Sequence, residues 1–558
     1  MQQRRSELSC VIVVCVCKCR MFTSRYNSEL RTWSGRHLAP FHHESVSLGR
    51  ALYYALSYSR NRVAQISDDS GLRVTDGELC DQMLAIAGNL RARGATRQQL
   101  IAVVAKNSHL IAPTVFAAFY LAIPVNTLDP NYSVDEIVHM FAQTRPSIVF
   151  CDHDNHATVQ KAVIKMASGA RIITFGPRIA GVDNIEDYVV QNNKEDPANI
   201  EDVDAETCAL ILCSSGTTGM SKGVSLTHQH LLYLFSYQVL FDFHDDARML
   251  CFSSLYWLSG IAHLLLTTFL GITRIITPAT FSVDLFLNII EKYQATHVLS
   301  TPVQLAGVLE SPRLTRTTLA SVREYIVGGS VVPKDKWERI QTFVPNGFVL
   351  IVYGMSEVGF ATRQVYRTNK YCVGKLAPDL QLRIVDENGQ NCLPGETGEI
   401  CFKPRFRFLG YYGNAAATRD MIDDAGWVHT GDIGRMDEDG DLHIVDRQKE
   451  ILKYCNHHVS PSEVEQVIFG HAEVAYACVV GIPDPVCSDL PAAVVVRKEG
   501  AVVTEEDIAR LVASRLSDPK HLRGGVYFVD SLPLTPSGKV IKGRVKQMAL
   551  ELFRARHH

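Results

Sequence analysis

A loop rich in glycine, hydroxyl groups and lysine is the first stretch of the sequence that could bind a phosphate. Residues 214–223 read SSGTTGMSKG. Glycines let backbone N–H groups turn toward an anion, hydroxyls donate hydrogen bonds, and a lysine adds positive charge. The Walker A pattern is broken, because Ser221 stands after Gly216 at the spacing where a second glycine is required. The loop is predicted to bind an anion in another way, and a Gly/Ser surface turn is the alternative.

Three further stretches carry side chains suited to a nucleotide. In VYGMSEVG, residues 352–359, Tyr353 can line a pocket and Glu357 can hold Mg²⁺ beside phosphate oxygens. In GWVHTGDIG, residues 426–434, Asp432 can accept hydrogen bonds from both hydroxyls of a ribose. In PSGKVIK, residues 536–542, Lys539 lies on a Pro/Gly-rich loop. Taken singly, these residues could equally be a solvated glutamate, a β-turn aspartate and a solvated lysine.

The sequence pattern of the segments that must position these residues predicts an α/β fold, with mostly parallel sheets flanked by helices. Short β-branched runs alternate with amphipathic segments, as in LIAVVAKN (100–107) followed by the helical LIAPTVFAAFYLA. SIVFCDH (147–153) and RIITFG (171–176) are further predicted strands. The strand CALILC (208–213) leads into the loop, and SLTHQHLLYLF after it predicts a helix with Thr227 as its cap.

The pattern changes near residue 380. LQLRIVDENGQNCLPGETGEICFKP predicts two strands joined by Asp/Asn/Gly and Pro-Gly turns, and therefore an antiparallel β subdomain. After HIVDRQKE (443–450), a helix capped by Ser460 with Pro461 in its first turn opens a segment of alternating strands and helices. We expect an N-terminal extension over residues 1–20, a large domain over 21–446 and a small α+β domain over 447–558.

Composition narrows the range of functions. The chain has 558 residues, a net charge of −3 and 46% hydrophobic residues, which is ordinary for a globular protein of two or more domains. Without a dense basic stripe, nucleic acid is not expected as a partner. The apolar run Cys10–Cys17 is far shorter than the roughly 20 residues that span a bilayer, so no stable membrane span is expected. Cysteines scattered from Cys80 to Cys487 predict buried thiols in a reducing compartment, not a disulfide framework.

Taken in order, these stretches resemble those of the acyl-adenylate-forming family, which includes acyl-CoA synthetases, 4-coumarate:CoA ligases and beetle luciferases. The matching pieces are SSGTTGMSKGV, YGMSE, GWVHTGDIG, VDRQKEILKY and LTPSGKVIK, and the resemblance runs from roughly residue 45 to 550. DLPAAVVV and LRGGVYFVD look most like the insect luciferase-related branch. The resemblance implies that the small C-terminal domain is mobile, with a hinge near residues 446–449.

The resemblance also implies a role for each matching residue. The loop would bind the β- and γ-phosphates of ATP with the help of Lys222, and Glu357 would hold Mg²⁺ together with Thr218. Lys539 would neutralise charge between the carboxylate and the α-phosphate. The nucleotide-binding residues would be Ser214, Ser215, Gly216, Thr217, Thr218, Gly219, Gly329, Tyr353, Gly354, Ser356, Asp432, Arg447 and Lys453. The acyl pocket would be lined by Tyr256, Trp257, Gly260 and Gly328.

The implied reaction has two halves. The carboxylate of a fatty or aryl acid attacks the α-phosphorus of ATP, giving acyl-AMP and pyrophosphate, with a lysine and Mg²⁺ stabilising the charge. The C-terminal domain then rotates and removes Lys539, and the thiol of coenzyme A displaces AMP. The expected compartment is the cytoplasm or the peroxisome, and the C-terminal RARHH is not the Ser-Lys-Leu signal.

The chain departs from the family pattern at three places. FSSLYWLSG offers Tyr256 and Trp257 where many relatives have a histidine, and Leu234 stands where luciferases carry an arginine. CNHH, residues 455–458, places Asn456 at the position of a usual glycine, in a loop expected to face the pantetheine of coenzyme A. The first two changes disfavour luciferin as the ligand. The third disfavours efficient thioester formation and leaves adenylation unaffected. A luciferase-like oxygenase and a nucleotide- or acyl-binding member without turnover are the alternatives to a CoA ligase.

Overall fold

The computed structural model describes residues 23–38, 43, 45–200, 203–204, 206–213, 221–234, 246–365, 370–406, 408–455, 457–534 and 540–557. The predicted extension 1–20, the loop residues Ser214 to Gly219, Asn456 and Lys539 lie outside the described residues. Within them, the mixed α/β fold predicted from the sequence is confirmed, with two large sheets, an antiparallel sheet and a smaller C-terminal sheet.

One large sheet carries the strands around the phosphate loop. Its strands, in spatial order, are Gly410–Tyr411, Gly223–Thr227, Cys208–Cys213, Val125–Thr127, Ile101–Val104, Ile148–Asp152, Arg171–Phe175 and Asp183–Asn184. The first two pairings are antiparallel and the others are parallel. Every residue of Ile101–Val104 is buried, as expected for a parallel strand covered on both faces.

The second large sheet carries the YGMSE stretch. Its strands, in spatial order, are Lys375–Leu376, Gly359–Arg363, Phe348–Met355, Glu324–Gly328, His297–Ser300, Arg248–Cys251, Thr273–Ile276, Val63–Ser67 and Arg73–Thr75. The strands from Phe348–Met355 to Val63–Ser67 are parallel neighbours, and antiparallel strands flank them at both edges. The residues after Tyr353 therefore lie at the edge of the sheet where these parallel strands have their carboxyl ends.

Helices connect and cover these strands. They span Leu48–Tyr58, Asp76–Ala92, Ile111–Tyr120, Val134–Thr144, His156–Lys165, His228–Leu234, Leu258–Leu270, Val283–Tyr293, Pro302–Glu310, Lys334–Gln341, Ala415–Met421, Pro461–Phe469, Glu505–Arg515 and Lys542–His557. Local sequence sets several of their starts. Thr75, Ser133 and Thr301 each form a capping box with the residue three positions later, which satisfies otherwise unpaired backbone N–H groups.

The antiparallel β subdomain predicted after residue 380 is confirmed. Its strands, in spatial order, are Arg25–Asn27, Thr32–Ser34, Gln381–Val385, Gly398–Lys403, Val428–Met436 and Leu442–Arg447. Along Val428–Met436 buried and half-buried residues alternate, so that one face of the strand turns Thr430 and Asp432 inward.

After Arg447 the chain enters a separate sheet. Its strands are His457–Val459, Leu452–Tyr454, Ser488–Arg497 and Val474–Asp484, with Gly525–Phe528 also paired to Ser488–Arg497. The predicted cap of the next helix is confirmed, because the Ser460 hydroxyl accepts from the Glu463 N–H at 3.3 Å. The same hydroxyl donates to the buried Asp446 carboxylate at 2.5 Å, which ties this helix to the end of the preceding sheet.

The cysteines differ from the prediction at one place. Of the described cysteines, nine are free thiols, and eight of these are buried, as predicted. Cys455 and Cys487 instead form a disulfide, so the prediction of thiols throughout was wrong for this pair. Sequence spacing could not show the pairing, because the two residues meet only through the turns of two neighbouring hairpins. None of the helices in the described part of the chain is both long and apolar enough to cross a bilayer.

Candidate functional site

The phosphate loop connects two antiparallel strands. Cys213 pairs with Gly223 across the hairpin, so residues 214–222 form the connection. The sequence predicts a helix in SLTHQHLLYLF with Thr227 as its cap, and the helix His228–Leu234 begins directly after that residue. The residues before it lie in the strand Gly223–Thr227. Pairing with both Cys208–Cys213 and Gly410–Tyr411 holds this segment extended. The predicted cap is confirmed, since the Thr227 hydroxyl accepts from the His230 N–H at 2.9 Å.

The end of the loop is anchored by aromatic and histidine side chains. The Nε2 of His139 donates to the Ser221 carbonyl at 2.9 Å. The Tyr132 hydroxyl lies 3.1 Å from the Ser221 hydroxyl and donates to the Tyr256 hydroxyl, also at 3.1 Å. A chain of hydroxyl groups therefore connects the loop with Tyr256, a residue predicted to line the acyl pocket.

A lysine and a glutamate that lie next to strands of two different sheets meet at one tyrosine. The Tyr411 hydroxyl donates to Oε1 of Glu357 at 2.8 Å. The Nζ of Lys222 lies 4.8 Å from the centre of the Tyr411 ring, within the range of a cation–π contact. The strand Gly410–Tyr411 makes this possible, because it pairs with Gly223–Thr227 directly after Lys222. Tyr411 is a site residue that the sequence analysis missed.

Glu357 is suited to hold a cation. The residue is only 6% exposed, and burial raises the pKa of its carboxyl above the usual value. The Tyr411 hydrogen bond and the positive charges of Arg447 and Lys222 act in the opposite direction and lower that pKa. A carboxylate has about four acceptor positions, so one hydrogen bond from Tyr411 leaves capacity for a metal ion. The residues present therefore fit Mg²⁺ at Glu357, and the predicted second ligand, Thr218, lies outside the described residues.

A second network contains the predicted ribose-binding residues. Asp432 is 8% exposed, and its two oxygens accept from the Tyr353 hydroxyl at 2.6 Å and from Nε of Arg447 at 2.8 Å. Burial, together with the Asp432 charge, raises the pKa of Tyr353 well above its usual value, so the phenol stays protonated and donates. Asp432 and Arg447 are opposite one another on adjacent antiparallel strands, which fixes their contact. Three of the predicted nucleotide-binding residues, Tyr353, Asp432 and Arg447, are thus brought together.

The predicted glycines lie where side chains would obstruct or strain the backbone. A Cβ on Gly354 would lie 2.1 Å from the Gly359 carbonyl oxygen, and one on Gly328 would lie 2.7 Å from a methyl group of Val352. Gly329 has φ of +101°, a conformation that L side chains rarely adopt, and no described atom lies within 4 Å of the position of its Cβ. Among the described residues, therefore, none packs against the backbone at Gly329, directly after Glu324–Gly328.

Two other predicted nucleotide-binding residues have weaker structural support. Ser356 is half-buried in the turn between Tyr353 and Glu357. Lys453 lies in the C-terminal sheet with an exposed side chain, and its backbone N–H donates to Asp489 at 3.2 Å. Within the described residues, no contact joins Lys453 to Glu357 or Asp432.

The predicted acyl-pocket residues form an aromatic corner. The rings of Tyr256 and Trp257 are 4.5 Å apart at an angle of 80°, just before the helix Leu258–Leu270. Gly260 allows the first turn of that helix to pack closely, because a Cβ there would lie 2.0 Å from the Ser254 carbonyl oxygen. Leu234 is buried and lies next to Gly359, whose Cβ would come within 2.3 Å of the leucine side chain.

Comparison with known proteins identifies the family. The AMP-binding enzyme family matches residues 54–412, and the AMP-binding enzyme C-terminal domain matches residues 463–539. The chain is 30% identical to Peroxisomal OPC-8:0-CoA ligase 1 of Arabidopsis thaliana, with 89% of this chain and 92% of that protein covered. It is also 30% identical to Luciferin 4-monooxygenase of Photuris pensylvanica, with 91% and 96% covered.

Solved structures support the same conclusion. ATP-bound MatB from Rhodopseudomonas palustris superposes with a TM-score of 0.82 at 26% identity, covering 91% of this chain and 100% of that chain. The first family match alone covers more than half of the 558 residues. The chain therefore belongs to the AMP-binding enzyme family and, with it, to the acyl-adenylate-forming enzymes.

Proposed function

We propose that the protein is an AMP-forming acid–thiol ligase, which activates a fatty or aryl carboxylic acid with ATP and transfers the acyl group to coenzyme A. The observation that supports this most strongly is the meeting of Lys222 and Glu357 at Tyr411, beside the end of the phosphate loop. These two side chains suit a magnesium-bound triphosphate, because the lysine complements the negative phosphates and the glutamate complements the positive magnesium ion.

The roles follow from charge and position. Lys222 would bind phosphate oxygens at the loop, and Asp432 with Arg447 would hold the ribose. Glu357 would hold Mg²⁺, which when bound neutralises phosphate charge and polarises the phosphoryl group. Tyr353 keeps Asp432 oriented through the 2.6 Å hydrogen bond. The substrates are ATP, the acid and coenzyme A, and we place the reaction in the cytoplasm or the peroxisome on the similarity to a peroxisomal ligase.

The two half-reactions require the C-terminal domain to take two different positions. We propose that residues 447–558 move as this domain, about a hinge near residues 446–449, because the chain passes there from the sheet ending at Arg447 to the sheet starting at Leu452. Lys539 would act in the first half-reaction and leave the site in the second. Asp446 would be a pivot, since its carboxylate accepts from the Ser460 hydroxyl and the Ser462 N–H on the far side of the hinge.

A pyrophosphate-exchange assay tests the proposal directly. Exchange of labelled pyrophosphate into ATP over a panel of fatty and aryl acids reports adenylation, and release of AMP with added coenzyme A reports the second half-reaction. We expect exchange with at least one acid and thioester formation with coenzyme A. Exchange without thioester formation would point to another acceptor, and nucleotide binding without any exchange would point to a member without turnover.

Tyr411→Phe should weaken the use of Mg²⁺ while leaving the fold intact. The variant keeps the ring beside Lys222 and removes the hydroxyl that holds Glu357. Loss of one hydrogen bond to a charged group corresponds to about 1.5–3 kcal/mol, so we expect kcat for pyrophosphate exchange to fall by roughly 10- to 100-fold and more Mg²⁺ to be required for half-maximal rate.

The neighbouring Tyr412→Phe is the matched control, because it removes the same group from a half-buried position beside the site. It should retain the wild-type requirement for Mg²⁺. Equal magnesium dependence of both variants and wild type would contradict a positioning role for Tyr411.

A luciferase-like oxygenase is the second candidate, and the 30% identity to Luciferin 4-monooxygenase favours it. Leu234 and Trp257 disfavour luciferin as the ligand, because an arginine and a histidine are replaced by apolar side chains. We therefore expect luminescence far below that of a beetle luciferase when luciferin, ATP and oxygen are supplied. Light emission comparable to that of a beetle luciferase, measured in a luminometer at equal protein concentration, would favour the second candidate.

A further inference from the structure

Two cysteines in neighbouring turns of the C-terminal sheet are bonded to one another. Cys455 lies in the turn between the strands Leu452–Tyr454 and His457–Val459. Cys487 lies in the turn between Val474–Asp484 and Ser488–Arg497. We propose that this pair is a reversible thiol–disulfide site, opened by small thiols such as glutathione or coenzyme A, and that its state controls thioester formation.

The exposure of Cys455 separates this pair from the other cysteines that the structure describes. Cys455 is exposed and Cys487 is half-buried. Among the nine free cysteines of the described residues, eight are buried. A thiol–disulfide exchange requires an attacking thiolate to reach a sulfur atom. A small thiol can therefore react with this pair, whereas the buried cysteines are shielded from it.

Backbone contacts hold the two turns together independently of the sulfur–sulfur bond. The Cys455 N–H donates to the Cys487 carbonyl at 3.1 Å, and Tyr454 pairs with Ser488. The Asp484 carboxylate accepts from the backbone N–H groups of Val486 at 2.9 Å and of Cys487 at 2.8 Å. After reduction the two thiols therefore stay adjacent, and the bond can form again without a search through unfolded conformations.

The exchange is balanced in atoms and electrons. The thiolate of one small thiol attacks a sulfur of the pair, the sulfur–sulfur bond breaks, and the other cysteine leaves as a thiolate that takes up a proton. A second small thiolate then attacks the small-molecule sulfur of the mixed disulfide, and the bound cysteine leaves as a thiolate that takes up a proton. Both cysteines are then thiols, and the two small molecules have become one disulfide. The reverse sequence, driven by a small-molecule disulfide, oxidises the pair.

The effect should be confined to the second half-reaction, a consequence that rests on the function proposed above. Lys222, Glu357, Tyr411 and Asp432 all lie outside the sheet that carries the pair. Cys455 lies shortly after the proposed hinge, in the part of the chain proposed to move. Its φ of +46° is a left-handed conformation that a residue other than glycine rarely adopts. The bond to Cys487 adds a covalent restraint to the backbone contacts at this turn. Reduction removes the covalent restraint and leaves only the backbone contacts, which can adjust when the coenzyme A site forms.

The test begins with the pair itself. Full-length protein is purified without reductant, equilibrated with glutathione at graded ratios of reduced to oxidised form, and alkylated with iodoacetamide before peptide mapping. We expect Cys455 and Cys487 to appear as a cross-linked peptide under oxidising ratios and to be alkylated together under reducing ratios. Full alkylation of both residues at every ratio, or a cross-link that opens only when the protein unfolds, would overturn the proposal.

The two half-reactions are then measured at both ends of the series. Thioester formation should be slower by at least roughly threefold in the oxidised protein, as expected for a restricted conformational step, while pyrophosphate exchange is unchanged. The double variant Cys455→Ser/Cys487→Ser should abolish the dependence on glutathione, and Cys392→Ser, at a buried free cysteine, should retain it. A parallel change in both half-reactions, or no change in either, would overturn the control of thioester formation. Absence of pyrophosphate exchange at every ratio would instead contradict the proposed function, and the alkylation result would still decide the site.

Discussion

Glu357→Gln is expected to lower the rate of pyrophosphate exchange by about 10²–10³, the usual cost of losing one charge contact to a reacting group. Glutamine keeps the size of the side chain and an acceptor oxygen for the Tyr411 hydroxyl, which donates at 2.8 Å in the native protein. It removes the negative charge that would hold Mg²⁺ beside Lys222. The loss should therefore appear in the rate at saturating acid, together with a weaker response to Mg²⁺.

Glu438→Gln is a suitable control for this measurement, because Glu438 is exposed on the turn after Val428–Met436 and its replacement removes the same charge. It should exchange pyrophosphate at the wild-type rate. If Glu357→Gln retained that rate and the wild-type magnesium dependence, the assignment of Glu357 as the cation ligand would be wrong.

Arg363→Met should destabilise the fold strongly. The Arg363 guanidinium contacts the Glu324 carboxylate at 2.8 Å, with side chains only 5% and 2% exposed. Breaking a buried ion pair from one side leaves the partner charge without its compensation, which typically costs about 3–5 kcal/mol. Both residues lie in the sheet that carries Tyr353 and Glu357, so we expect a lower midpoint of thermal unfolding and a loss of activity at the same temperature.

Two comparisons make this stability measurement specific. Lys334→Met breaks an exposed pair with Glu338 at 3.7 Å, where both side chains are 58% exposed, and should change stability by less than about 1 kcal/mol. Adding Glu324→Leu to Arg363→Met removes the remaining buried charge and should recover part of the lost stability. An unfolding midpoint for Arg363→Met equal to that of Lys334→Met would rule out an important role for the buried pair.

Local patterns in the sequence were sufficient to predict most elements around the site. Runs of β-branched residues such as those at 100–107 become strands because their side chains pack on a parallel sheet covered on both faces. Thr227 and Ser460 cap helices because a side-chain oxygen meets an N–H group only three residues away. The antiparallel subdomain was also predicted, since its turns are marked by Asp, Asn, Gly and Pro.

Contacts between distant segments had to come from the tertiary structure. Tyr411 is 54 residues from Glu357 in the chain, and no local periodicity relates them. Their contact depends on a two-residue edge strand that pairs beside the phosphate loop. The same edge pairing holds Gly223–Thr227 extended up to Thr227, the cap of the helix His228–Leu234.

By itself, the sequence determined the α/β class, the antiparallel subdomain and the family, because these depend on residue patterns and motifs within single segments. It also singled out Tyr353, Asp432 and Arg447, whose grouping is then fixed by strand register. Only the tertiary structure decided that Lys222 and Glu357 meet at Tyr411 and that Cys455 bonds to Cys487. The physical reason is that hydrogen bonds within turns and helices act over a few residues, whereas these contacts arise from sheet edges and hairpin turns brought together by folding.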